Sequence, residues 1–258
     1  PQSVRVQLVR HMDPWQLCHF AIPFVLPLRP EDFTGLLISE VDFSQRLMRF
    51  GFRFGGFDFN KGQQSFQVPF PKEIAPLLAA CVGTRRAGPL LRGRSIWQGS
   101  SPRVEAATAA DVVDYCEGQL ADAPGGDIQS AQDAKRVLRR AIKDLGGACS
   151  NALAREFGVL RDAVGLSNAV HFYDLRASCN TEMDRSKVSP WVMKYIKGHA
   201  SRDCEPAYLS IDIGTALDSY FDFLTPLLTA MQERAVCLGL VPGHGAAAET
   251  DCQPEEKT

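Results

Sequence analysis

"RLMRFGFRFGGFDFNKGQQSFQVPF", residues 46 to 70, is where the chain leaves the helical period. Phe50, Phe52 and Phe54 alternate with small or charged residues, which is the period of a strand with one face buried. Gly55-Gly56 supplies a turn, Phe57 and Phe59 resume the alternation, residues 60–64 make a second turn, and Phe66, Val68 and Phe70 alternate again. A small three-stranded antiparallel sheet near the N-terminal third is expected. On its N-terminal side, "DPWQLCHFAIPFVLPL" (13–28) is apolar at helical spacing after an Asp cap, a helix kept short by internal prolines. "RPEDFTGLLISEVDF" (29–43) reads as a second helix with Pro30 near its start. Beyond Pro71 the pattern is helical over 72–82, 107–121, 129–145, 149–163, 174–184, 190–197, 206–211 and 214–236. The fold class is α+β, mainly helical.

Between these elements, residues 83–102 are rich in Gly, Pro and Arg and form a long loop, and "LADAPGGDIQS" (120–130) is another break. After Leu240 the only large apolar residue is Val241, so residues 241–258 are expected to be a disordered acidic tail. At 258 residues there is ample material for a buried core. No apolar run approaches a membrane span and the start lacks a signal peptide, which points to the cytoplasm and to no membrane partner. The eight cysteines are scattered, with no pairing to histidines at metal-ligand spacing; they read as free, mostly buried thiols, and no metal is expected.

A net charge of −2 hides an uneven distribution. From Ile74 to Val104 there is no acid, while Arg85, Arg86, Arg92, Arg94 and Arg103 fall there. "KRVLRRAIK" (135–143) adds five more cations, among them Lys135, Arg136 and Arg139. A basic face on an otherwise acidic chain suits phosphate binding; solvated loops and helix faces would look the same in sequence.

Three further cations and a break in the last third complete the set of candidates. Arg29 precedes Pro30 at a helix start, Lys61 sits at the second turn of the sheet, and Arg176 lies in the first turn of a helix whose Leu175, Cys179 and Met183 are apolar. In "GHASRDCEPAYLS" (198–210), His199 and Tyr208 are nine residues apart and would point to opposite sides of one continuous helix. Pro206 and the polar turn residues Ser201 to Asp203 interrupt that helix, so the two side chains are free to converge.

In order and spacing these residues resemble the tyrosine recombinase, or phage integrase, family. "LPLRPEDFTGLLISEVDFSQRLMRF" (26–50) is similar to that family's "GLRPEELLGLRWSDVDFENRLIRI", and "FNKGQQSFQVPFP" (59–71) to its hairpin with the catalytic lysine. "YDLRASCNTEM", "VMKYIKGHA" and "AYLS" resemble "HDLRHTFAT", "ELLGHS" and "YTH", with Arg176 to His199 at 23 residues and His199 to Tyr208 at nine, as in the family. The likeness covers roughly residues 10–235. A rival register of the first box, with "FTGLLISEV" on "TGLRISEL", would put Leu37 where arginine belongs; Arg29 is preferred because "VDFSQRLMRF" then falls at the usual distance. The departure is Tyr173, where the family usually carries histidine.

The resemblance implies a catalytic domain over residues 1–240, with the family's N-terminal core-binding domain expected to be absent from this chain. It implies a site of Arg29, Lys61, Tyr173, Arg176, His199 and Tyr208, acting on double-stranded DNA without cofactor or metal and assembling as a homotetramer on the DNA. Its C-terminal helix would dock onto a neighbouring subunit, an expectation supported by the apolar surplus of "TALDSYFDFLTPLLTAMQER" (215–234). In that chemistry two guanidinium forks stabilise charge on the non-bridging phosphate oxygens. Tyr208 attacks phosphorus to give a 3′-phosphotyrosyl enzyme, and Lys61 protonates the leaving 5′ oxygen. The function implied is site-specific recombination of a mobile element, by integration or excision. Type IB topoisomerase-like relaxation and a non-catalytic DNA-binding relative are the alternatives. Arg85, Arg86, Arg92, Arg94, Lys135, Arg136 and Arg139 would hold the DNA backbone.

Overall fold

Asp13 starts the helix at the centre of the molecule. Its carboxylate accepts from the Gln16 backbone N–H at 2.8 Å and the Gln16 side chain accepts from the Asp13 N–H at 3.1 Å, a reciprocal cap with Pro14 at the first helical position. The resulting helix α2 (Pro14–Val25) is buried from Trp15 to Val25, and a helix apolar on every side must be enclosed. In the computed structural model, which describes residues 1–51, 54, 65–123, 130–198 and 213–242, the enclosure comes from both ends of the chain. Helix α1 (Gln2–His11), which the sequence pattern did not signal, packs on the C-terminal helix α12 (Thr225–Cys237), and α12 packs on α2.

After α2 the chain departs from the expected second helix over 29–43. Helix α3 (Pro30–Thr34) lasts five residues, Gly35 ends it, and a single 3₁₀ turn (Ile38–Glu40) leads into strand β1 (Val41–Asp42). The sheet is three-stranded and antiparallel in the order β1-β2-β3, with β2 at Leu47–Phe50 and β3 at Phe66–Pro69. Its first strand is thus Val41–Asp42 and its second begins at Leu47, earlier than the phenylalanine alternation suggests. Met48 pairs with both Val41 and Val68, and Phe50 pairs with Phe66. Met48, Phe50, Phe66 and Val68 are buried while Arg49 and Gln67 are exposed, the alternation a one-sided sheet requires. The Phe50 and Phe66 rings stack at 4.8 Å. The strand expected through Phe57 and Phe59 lies outside the described residues.

The remaining regular elements are helices: α4 (Ala75–Val82), α5 (Arg94–Trp97), α6 (Ala109–Ala121), α7 (Ala131–Asp144), α8 (Ser150–Ala163), α9 (Asp174–Arg185), α10 (Pro190–Ile196), α11 (Ile213–Phe223) and α12. The α6–α7 pair has its own small core of Val112, Cys116, Leu138, Ala141, Ile142 and Leu145, joined to Leu37, Phe54 and Ala87. Gly147 follows α7 where a Cβ would meet Ile142 Cγ2 at 2.5 Å and Ile142 O at 2.8 Å, so only glycine fits that return.

The helix expected over 214–236 is two helices, because Pro226 needs the first turn of a new one. Leu217, Tyr220, Leu224, Leu227, Leu228 and Met231 are all buried in the chain's own core, and the Tyr220 hydroxyl donates to Val25 O at 2.6 Å. Most of the apolar surplus that suggested docking on a neighbouring subunit is thus used internally, with Phe223 and Val236 left exposed. The expected helix 206–211 and tail residues 243–258 lie outside the described residues. Cys18, Cys81, Cys116, Cys149 and Cys179 are free thiols, whereas Cys237 is disulfide-bonded, against expectation. Among the described residues no helix is long and apolar enough to cross a membrane.

Candidate functional site

Arg29 and Arg176, 147 positions apart in sequence, meet because helices that pack together carry them. Arg29 sits at the N-cap of α3, immediately after α2, and Arg176 is in the first turn of α9, which packs on α2. The two guanidinium groups are close enough to repel one another. Arg176 is 8% exposed, and among the described residues its Nη1 has no hydrogen-bond partner. Burial is the main cause that holds its pKa below the ordinary arginine value; Tyr173 opposes that shift and Arg29 adds to it. A buried guanidinium donor left unpaired costs about 1–3 kcal/mol, a cost that an oxyanion accepting from Nη1 would remove.

Near both arginines lies Asp32, which in the sequence reads, with Glu31, only as a structural partner of Arg29. Its Oδ2 accepts from the Arg29 backbone N–H at 3.3 Å, while its Oδ1 is buried without a partner. Burial pushes the Asp32 carboxyl up to about 6, against the Arg29 N–H and the charges of Arg29 and Arg176. The signal was present, since Asp32 is three residues after Arg29 and so falls on the same side of a helix start.

Tyr173, the N-cap of α9, is 55% exposed. It borders a cleft of about 350 Å³ lined also by Glu31, Ser150, Asn151, Arg161 and His171. His171 thus reaches the neighbourhood although it does not share a helix face with Arg176; its backbone N–H donates to Asp174 Oδ2 at 2.8 Å. Lys197, the C-cap of α10, is a second residue that sequence reasoning missed. Burial lowers its pKa, and the nearby charges of Arg176 and Lys194 lower it further. It is held there by Gly198, which has φ +65° and lies against the Phe66 ring, and by Tyr195, whose hydroxyl oxygen accepts from the Gln67 N–H at 3.2 Å and whose ring stacks on Trp191. Lys61, His199 and Tyr208 lie outside the described residues.

The seven residues expected to hold a DNA backbone divide by their partners. Arg85 donates to the carbonyls of Val82, Pro89, Cys81 and Leu90, and so caps the end of α4. Burial, with the Arg92 charge added, lowers its pKa to about 10. Arg94 is held by Asp13 at 2.8 Å and Glu156 at 2.6 Å and lies over the Trp15 ring. Arg92 lies over Trp97 and, with the exposed Arg86, lines a cleft of about 540 Å³ together with Ser100 and Ser101. Lys135, Arg136 and Arg139 are on α7, with Arg136 and Arg139 exposed and Lys135 partly so.

The arrangement at Arg29, Asp32, Arg176 and Lys197 is a buried-edge cluster of three cations and one carboxyl that burial inclines to the neutral form. It can receive a phosphate-like anion through planar guanidinium forks. Among the described residues no group of His, Cys, Asp and Glu could hold a metal ion. Comparison with protein-family models, curated proteins and solved structures finds no match to this chain.

Proposed function

We propose that this protein cuts and rejoins DNA strands as a site-specific recombinase, through a 3′-phosphotyrosyl intermediate. The observation that carries the proposal is the meeting of Arg29 and Arg176 with an unpaired, buried Arg176 donor. The mutual repulsion of the two arginines is offset in part by Asp32 and Glu31, and an anion accepting from Arg176 Nη1 would offset it further. A phosphodiester is the anion whose non-bridging oxygens fit two forks.

In the proposed reaction Arg29 and Arg176 bind the scissile phosphate and stabilise the charge that grows on its equatorial oxygens. Lys197 adds a third positive charge beside Arg176. Tyr208 attacks phosphorus and gives its phenol proton to a solvent water, and the P–O5′ bond breaks with Lys61 as the acid that protonates the departing 5′ oxygen. His199 donates a hydrogen bond to the same phosphate. The covalent 3′ linkage conserves the bond energy, so a 5′-hydroxyl from the partner strand re-forms the diester and frees Tyr208. Asp32 positions the two arginines.

Covalent trapping tests this. The protein is incubated with nicked duplexes that lose the 5′-hydroxyl fragment after cleavage, and denaturant-resistant adducts are sought in the wild type and in Tyr208→Phe. An adduct that vanishes in the variant is expected. DNA binding without an adduct would overturn strand cleavage in favour of a non-catalytic binding protein. An adduct accompanied by relaxation of supercoiled plasmid without site preference would reassign the chemistry to a topoisomerase.

A further inference from the structure

Helix α7 carries its charge in a pattern its own fold does not use. Its apolar positions Ala134, Leu138, Ala141 and Ile142 are buried against α6 and the second core. On the other side Arg136, Arg139, Arg140 and Lys143 are exposed at i, i+3, i+4 and i+7, one stripe about 10 Å long at 1.5 Å per residue. Arg136/Arg140 and Arg139/Lys143 are like-charged i,i+4 pairs, which oppose helix formation. Arg136 has a loose ion pair with Asp133 at 3.6 Å; among the described residues Arg139, Arg140 and Lys143 have none. Asp144, the other acid of the helix, is turned to Tyr115 and Arg103. Four cations held in line, repelling one another and largely unneutralised, lack only an anionic partner of similar linear spacing.

Helix α6 has the opposite character. Asp111, Asp114 and Glu117 are exposed at i, i+3 and i+6. The hairpin is thus a dipolar unit, acidic along one helix and basic along the other. Next to a polyanion only one orientation is tolerated, with α7 towards the phosphates and α6 away from them.

We propose that the exposed stripe of α7 is a second DNA contact, separate from the cleavage centre, which tracks the phosphate backbone of duplex flanking the cut and does so without reading sequence. The α6 acids set the orientation of the hairpin on that duplex. The proposal rests on the reading of DNA as substrate but not on the cleavage step.

The experiment is equilibrium binding of the full chain to a short duplex and to one extended on both sides, over a range of salt concentrations. It compares the wild type with the variant Arg136→Gln, Arg139→Gln, Arg140→Gln, Lys143→Gln. Removing mutual repulsion leaves the helix at least as stable, which circular dichroism verifies. On the extended duplex the slope of log K against log salt is expected to flatten by about 3–4, since each lost phosphate contact contributes ~0.9. The loss should be equal for unrelated sequences and much smaller on the short duplex.

An unchanged slope overturns the proposal. So does a variant that keeps its DNA slope but loses self-association in sedimentation at low salt, which would assign the stripe to the α6 acids of a second copy. A wild type that binds no duplex overturns this proposal and the recombinase reading together. If the slope is lost as expected while Tyr208 forms no adduct, the recombinase reading falls and α7 remains a DNA contact. An adduct with an unchanged slope removes only the role of α7.

Discussion

Asp32 illustrates how one side chain can make the candidate site sensitive to pH. Its folded-state pKa of about 6 lies above the unfolded value of 3.8, so between those values the folded protein holds a proton that the unfolded chain has released. Stability on this account falls as pH rises from about 4 through 6, and the loss is of the order of a few kcal/mol. His19 opposes that fall in the wild type, so Asp32→Asn should make stability rise from pH 4 to pH 7 in urea melts; a pH dependence unchanged by the substitution would contradict the assignment. Tyr173 is the other residue to test. At 55% exposure and beside Arg176, its phenol suits orienting a phosphate or a water better than accepting a proton. Tyr173→His is expected to leave single-turnover strand transfer within a few fold of wild type, and a gain approaching ~100-fold would instead show that a missing base limits the reaction. In sequence Asp32 reads only as a structural partner of Arg29 and Lys197 does not stand out at all; each matters through Arg176, which is near it only in space.

At the scale of elements, α1 is secured to α9 by a buried ion pair. Arg5 and Glu182 are each 2% exposed and joined directly, and Arg5 also donates to Phe24 O. Glu182→Gln should destabilise the protein by about 3–5 kcal/mol, because it strands a buried guanidinium. Replacing both partners, Arg5→Met with Glu182→Leu, should recover much of that loss. Equal destabilisation by the single and double variants in chemical melts would show that packing, not charge, holds α1. The break between α11 and α12 at Pro226 was passed over because the apolar pattern of 214–236 continues through it. Nor was the early end of α3 legible, because the residues 29–43 that read as one helix also contain Gly35, Ile38 and Val41, which suit a turn and a strand equally well.

Across the whole molecule, two buried groups oppose one another in acid. His19 is fully buried, stacks on Trp15 at 4.1 Å, and has its ring nitrogens 2.8 Å from Trp15 O and 2.7 Å from Arg92 O. A neutral imidazole donates to only one of these. Burial outweighs the hydrogen bonds, and the charges of Arg92 and Arg85 assist it, so the pKa falls to about 3. A depressed histidine contributes stability that is present above the unfolded value of 6.5 and lost as pH falls towards 3. Its slope is opposite in sign to that of Asp32 where their windows overlap, between about 4 and 6. The wild type should therefore show a nearly flat stability there and an acid loss below it. In His19→Gln the Asp32 slope should emerge as stability that declines from pH 4 to 6, and a curve that stays flat would disprove the pairing.

From the sequence alone came the helical class with its small antiparallel sheet, the cap at Asp13, the cations of α7 and, as single side chains, Arg29 and Arg176. All of these are local, set by periodicity, backbone restriction and the chemistry of single side chains. Only the tertiary structure decided which cations share a site and which are spent elsewhere. Arg85 and Arg94 look like Arg136 and Arg139 in sequence, yet the first two are held by carbonyls and carboxylates while the other two face solvent. It also decided that most of the apolar surface of α11 and α12 covers the chain's own core, and that Asp32 lies near both arginines. The physical reason is that burial and Coulomb interactions depend on distance through space, which segments far apart in the chain acquire only when their helices pack.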